Sequence, residues 1–197
     1  PDRQSTRAGI SLGDAIASLF AVIGTMAALN EKQNSGKGQE VDVAIYEAVF
    51  ALMESTIADF ELGGHIRGRT GSILPGVAPS NVYPTADGAN VLIAGNADAI
   101  FGRICEAMQQ PALAEDPRYV DHEHRGANQE ELDELIGAWT ATFPVDDLEA
   151  LLDQHSIPYG RIFTAPDMLS DPQFAARELI KRYEDEVLGQ EVPMAAP

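Results

Sequence analysis

The chain has 197 residues, 45% of them apolar, and 31 acidic against 13 basic side chains, for a formal net charge of −18. That is enough chain for one or two domains with a core, and enough negative charge to argue against nucleic acid or an anionic membrane as partner. Cys105 is the single cysteine, which excludes an intrachain disulfide and a thiolate metal cluster.

Pro1 to Ala8 is polar. Gly9-Ile10-Ser11-Leu12-Gly13-Asp14 then launches an apolar run, Ala15 to Asn30, with Ile16, Leu19, Phe20 and Ile23 at helical spacing. Ser11 and Asp14 have the S-x-x-D spacing of a capping signal. Small residues between the large ones predict a buried helix, packed closely on most sides. The run is read as too short to span a bilayer, and no signal peptide is evident, so a cytoplasmic compartment is expected. Asn34 to Gln39 is a polar turn that stops the helix, and Glu40 to Ala44 reads as a short strand. Ile45 to Leu62 reads as a second helix, ended by Gly63-Gly64.

Asp14 admits two readings on its chemistry. One is a first-turn carboxylate that complements the helix dipole. The other is a nucleophile, presented by a glycine-flexed turn, stripped of water by apolar neighbours and kept ionised by the same dipole.

The stretch 65–79 is a loop rich in Gly, Arg and Pro that suits either a linker or an approach to phosphate or carboxylate through Arg67 and Arg69. Asn81 to Pro84 and Val91 to Gly95, joined by Ala86-Asp87-Gly88, read as a β-hairpin. Gly95-Asn96 leads into a helix from about Ala97 to Gln109, and reads either as a simple βα turn or as a junction whose glycine lets backbone amides approach a ligand. Cys105 lies on the apolar face of that helix and reads as core. Asp116 and Arg118 read as a cap and salt bridge. His122 and His124 diverge on a helix and have no evident third ligand, so no metal site is expected. Ala127 to Thr142 is an amphipathic helix with Trp139 toward the core or a domain interface, and Pro144 starts another. Ile157 to Phe163 reads as a strand, Thr164 as a helix cap, and Leu179 to Pro193 as a final hairpin around Leu188-Gly189.

Gly13-Asp14 with its small-residue helix, Ser35-Gly36-Lys37-Gly38-Gln39 and Val41-Asp42-Val43 closely resemble the class III CoA-transferases of the formyl-CoA transferase and carnitine CoA-transferase type. The resemblance recurs in Tyr83-Pro84-Thr85-Ala86-Asp87-Gly88, in Leu113 to Arg118, and from Ile157-Pro158 to Asp171-Pro172-Gln173. It implies an α/β fold: residues 1–64 as the end of a doubly wound large CoA-binding domain, 65–80 as a linker, and 81–197 as a small α/β domain. The chain would then correspond to the C-terminal half of a family member. In the family the aspartate at the position of Asp14 is the nucleophile, and the position of Ile45 lines the CoA. Gly95 and Asn96 lie near a region that carries a mobile glycine-rich loop in some members, though this chain has no run of glycines there. Family members form interlocked homodimers.

The reaction implied is transfer of CoA from an acyl-CoA to a small carboxylic acid through an aspartyl mixed anhydride and an aspartyl-CoA thioester, with no tightly bound cofactor. Two alternatives stand beside it. One is a 2-methylacyl-CoA racemase on the same fold, with Asp14 as an acid/base group. The other is a non-catalytic fragment.

Overall fold

A computed structural model describes residues 8–196; of the polar stretch Pro1–Ala8, the first seven residues lie outside the described ones. The chain divides into two compact units, Pro1–Arg69 and Thr70–Pro197.

The first unit is built on α1 (Leu12–Ser35). It runs five residues past the expected Asn30, because Glu31, Lys32 and Gln33 are good helix formers and the stop signal is Gly36. Gly36 takes the left-handed conformation (φ 74°) and donates its N–H to the Lys32 carbonyl at 2.8 Å. The second expected helix is broken in two, α2 (Ile45–Phe50) and α3 (Thr56–Gly63), with Glu54 at φ 52° between them. Gly64 caps α3 in the left-handed region, and Arg67 turns back to bind Asp59 Oδ2 at 2.9 Å and Ser55 Oγ at 2.6 Å.

Three expectations for this unit need correction. Glu40–Ala44 forms no strand, since no described segment pairs along it. Nor is α1 buried on most sides: Ala17 is its one buried residue, and Leu19, Val22, Ile23 and Met26 are each more than 60% exposed. Periodicity marks which residues want to leave water, but burial needs a partner surface, and the described residues supply one only along the α2 side. The bilayer reading changes too. With Ala as its commonest residue and few charges, α1 reaches a mean hydropathy of 1.8 over 18 residues, long and apolar enough by length and composition to cross a membrane. A core helix of a soluble protein has the same composition, and the close contacts at Gly13 and Gly24 described below are of that kind.

The second unit carries the well-packed core. Strands β1 (Ser80–Pro84), β2 (Asn90–Ala94) and β3 (Tyr159–Arg161) form an antiparallel sheet in that order. The expected hairpin is therefore present, with Val82 opposite Leu92, and Leu92 in turn opposite Gly160. Alternation along β2 sends Val91 and Ile93 inward. Helix α4 (Asp98–Ala107) meets them with Phe101, Ile104 and Cys105. Helices α5 (His122–Ala127), α6 (Gln129–Thr140) and α7 (Val145–Gln154) follow, and Leu132, Ile136, Leu148 and Leu152 complete the core. Each such side chain contributes roughly 1.5–3 kcal/mol on burial. Cys105 is core, as its position implies, and burial pushes its thiol up to about 11. Trp139 is half-buried against the core, edge to face with Phe143.

Asp171 caps α9 (Pro172–Ala176) and Thr164 shares a capping box with Asp167 at the start of α8 (Ala165–Ser170). The final hairpin, β4 (Ile180–Asp185) and β5 (Gln190–Ala195), turns at Gly189, where the Asp185 carboxylate accepts from the Val187 and Leu188 amides.

Candidate functional site

Asp14 is the third residue of α1, in the turn where helix amides have no internal acceptor. Ser11 occupies the cap position, but its side chain makes no capping bond, so the S-x-x-D signal is not realised as a capping box. The Ala15 amide bonds to the Ser11 carbonyl at 3.0 Å and Leu12 to Ile10 at 2.9 Å, while the Gly13 and Asp14 amides have no acceptor among the described residues. This leaves a positive helix end beside a carboxylate that is exposed to solvent. The apolar shielding expected around Asp14 is not supplied by its own unit.

What packs beside Gly13, the residue before Asp14, is α2. A Cβ placed on Gly13 would lie 3.0 Å from Ile45 Cγ2 and 3.7 Å from Val49 Cγ2. Farther along α1, a Cβ on Gly24 would lie 2.7 Å from Val41 Cγ1. The small residues of α1 therefore admit the segment 41–49 at van der Waals range. Ile45 is half exposed, so one side touches Gly13 and the rest is open. A cleft of about 300 Å3 between α1 and this segment is lined by Phe20, Gly24, Val41, Asp42, Glu47 and Ala48.

Gly95 and Asn96 belong to the other unit. The close approach that Gly95 permits is to Ile104, whose Cδ1 would lie 2.2 Å from an added Cβ. Its amide is donated to the Pro79 carbonyl at 2.8 Å, so it is engaged within the fold. The Asn96 carbonyl accepts from Arg125 at 2.8 Å. Arg125 is a residue that sequence reasoning missed. Fully buried, it donates to the carbonyls of Ala78 (3.2 Å), Tyr119 (3.1 Å) and Asn96, pairs with Asp98 at 2.6 Å, and lies over the Phe101 ring. In the sequence it follows His122-Glu123-His124, where attention falls on the histidines. The one available signal was its i, i+4, i+7 spacing with Gln129 and Leu132, although Arg125 lies on α5 and the other two on α6.

Other charged candidates have structural duties. Asp116 binds Arg118 through both its backbone N–H and its guanidinium, which hold the carboxyl at about 2, and Arg118 also reaches Glu131. His124 and Asp121 pair at 2.8 Å at the start of α5. Asp87 accepts from the Thr85 hydroxyl and the Val145 amide, which lowers its pKa and docks the hairpin turn on α7.

The family model "CoA-transferase family III" matches residues 1–197. A succinyl-CoA–D-citramalate CoA-transferase of Chloroflexus aurantiacus is 55% identical over 190 residues, 96% of this chain and 47% of that protein. A succinyl-CoA:mesaconate CoA-transferase of Haloarcula hispanica is 34% identical, over 91% of this chain and 44% of its own length. The chain thus spans about half the length of the curated relatives it matches. Among solved structures, a CAIB/BAIF family protein from Brucella suis matches with a TM-score of 0.77 and 30% identity, covering 100% of this chain and 50% of that one. Rv3272 from M. tuberculosis shares the fold at a TM-score of 0.81 and 19% identity, covering 100% of this chain and 51% of the other. With motif order, α/β fold and these matches in agreement, the chain belongs to CoA-transferase family III.

Proposed function

We propose that the protein transfers CoA from succinyl-CoA to a small hydroxydicarboxylic acid, D-citramalate being the first candidate, with Asp14 as nucleophile. The observation that carries this reading is a carboxylate in the first turn of α1, beside two helix amides without acceptors among the described residues, in a chain 55% identical to a transferase named for that pair of substrates.

The Asp14 carboxylate attacks the thioester carbonyl, forming an acyl-aspartyl anhydride and releasing CoA thiolate. The thiolate attacks the aspartyl carbonyl of the anhydride, giving an aspartyl-CoA thioester and free succinate. The acceptor carboxylate attacks that thioester, forming a second anhydride and again releasing thiolate. The thiolate then takes the acceptor's acyl group and frees Asp14. A carboxylate is required because only an acyl oxygen nucleophile can itself become a thioester and hand CoA on. The Gly13 and Asp14 amides are the nearest candidates to stabilise charge on the oxygens that develop it. Ile45 offers its open side to the CoA chain. Asn96 stays a candidate contact through its side chain, while the Gly95 amide is spent within the fold. The reading includes a homodimeric assembly, which rests on the family resemblance, and a cytoplasmic setting, which rests on the sequence expectation alone.

The test uses the protein expressed from its full reading frame, incubated with succinyl-CoA and D-citramalate, then quenched with hydroxylamine and peptide-mapped. The expected result is citramalyl-CoA, succinate, and a hydroxamate on Asp14 that Asp14→Ala abolishes together with turnover. Transfer at the wild-type rate by Asp14→Ala overturns the nucleophile assignment. Deuterium exchange at the acyl α-carbon without transfer would replace it with the racemase reading.

A further inference from the structure

Gly13 is helical and does not have a positive φ, so its backbone does not require glycine. Alanine would be the better helix former there. The reason visible in the structure is space: the missing Cβ is where Ile45 Cγ2 sits, at 3.0 Å. Gly24 makes the same kind of contact with Val41 roughly three turns farther along, on the same face of α1. Between them, Ala17 and Ala48 are the buried residues of α1 and α2. The segment 41–49 thus lies along α1 on a track of small residues. At the end of that track the first turn of α1 has no side-chain cap to hold it. Among the described residues, lateral packing on α2 adds to the main-chain bonds at Ser11 and Ile10 in fixing its height and rotation.

We propose that Ile45 is a positioning residue for Asp14. Its Cγ2 methyl, seated on Gly13, sets where the adjoining carboxylate stands. The proposal rests on the reading of Asp14 as nucleophile. A nucleophile that must reach a thioester carbonyl and later present its own carbonyl to a thiolate tolerates displacements well under an ångström. A methyl group on Gly13 would displace either the turn or Ile45 by a few tenths of an ångström.

The test is a double-mutant cycle in the full-length protein with Gly13→Ala and Ile45→Leu. Leucine keeps the volume but has no Cγ2 methyl on its Cβ. Gly13→Ala is expected to lower kcat about tenfold or more, with KM for acyl-CoA within about twofold, and to cut the hydroxamate yield on Asp14. Adding Ile45→Leu is expected to return kcat to that of Ile45→Leu alone, because the clash has gone. A Gly13→Ala enzyme with wild-type kcat, or a loss that Ile45→Leu does not relieve, overturns the proposal. Should Gly13→Ala not fold, Ile45→Ala removes the contact without a clash. A lowered kcat and hydroxamate yield in that variant supports the proposal, and a change in KM alone overturns it. A wild-type enzyme without hydroxamate on Asp14 defeats the nucleophile reading itself. A wild-type hydroxamate with no change in the variants defeats the positioning role alone.

Discussion

Arg125 Nη2 donates to the main-chain carbonyl of Asn96 at 2.8 Å and to the carboxylate of Asp98 at 2.6 Å, so one buried guanidinium holds both sides of the junction between β2 and α4. The same group reaches Ala78 and Tyr119, which ties four stretches of the second unit to one side chain. Arg125→Met keeps most of the volume but orphans three carbonyls. The expected loss is about 3–5 kcal/mol, read as a lower urea midpoint with an unchanged slope. Asp98 is exposed and keeps its hydration, so Asp98→Asn should cost far less, about 1 kcal/mol or under.

Gly126 and Gly102 make a contrasting pair. A Cβ on Gly126 would stand 2.6 Å from the Gly76 carbonyl oxygen, a main-chain atom that cannot swing aside. Gln129 pins that loop by accepting from the Gly76 amide and donating to the Val77 carbonyl. Gly126→Ala should therefore destabilise by about 1–3 kcal/mol. Gly102 lies within α4 with open space where a Cβ would go. Gly102→Ala should stabilise by up to about 1 kcal/mol. Thermal melts of the two variants should shift in opposite directions.

Asp116 supplies a pH signature. Its carboxyl is held at about 2 by Arg118, below the ordinary aspartate value of about 3.9. A folded-state pKa below the unfolded one means stability that is complete above the unfolded value. That stability is lost as pH falls from about 4 toward about 2. Asp116→Asn should flatten that part of the acid limb and leave stability near neutrality only slightly changed, because the pair is solvent-facing. Chemical denaturation repeated across the acid range checks it.

The net charge of −18 should make the fold salt-dependent. Self-repulsion among surface carboxylates opposes compaction and is screened as the Debye length falls from about 30 Å at 0.01 M to about 3 Å at 1 M. The melting temperature should rise with potassium chloride over that range. A flat or falling profile would mean that local ion pairs such as Arg161 with Glu149 have already compensated the excess.

Much of the second unit was legible because its signals are local. Asp87-Gly88 closes the first hairpin, Thr164 and Asp171 cap their helices, and alternation along Val91 to Ile93 marks the buried face; each acts within a few residues of itself. Asp14 at the mouth of α1 was legible for the same reason, since glycine, carboxylate and apolar run follow one another directly. Tertiary structure alone decided the rest. Nothing local to Arg125 announces that its helix docks it against three carbonyls. Ile104, nine residues on, fills the space beside Gly95, which the turn itself does not announce. The exposure of α1 and the unpaired run Glu40–Ala44 follow from which surfaces meet, which periodicity cannot report. Sequence determines what each segment can bury and where it can turn. Only packing decides whether a cation is solvated or enclosed, and whether a glycine serves a ligand or a neighbouring side chain, because both depend on atoms distant in the chain.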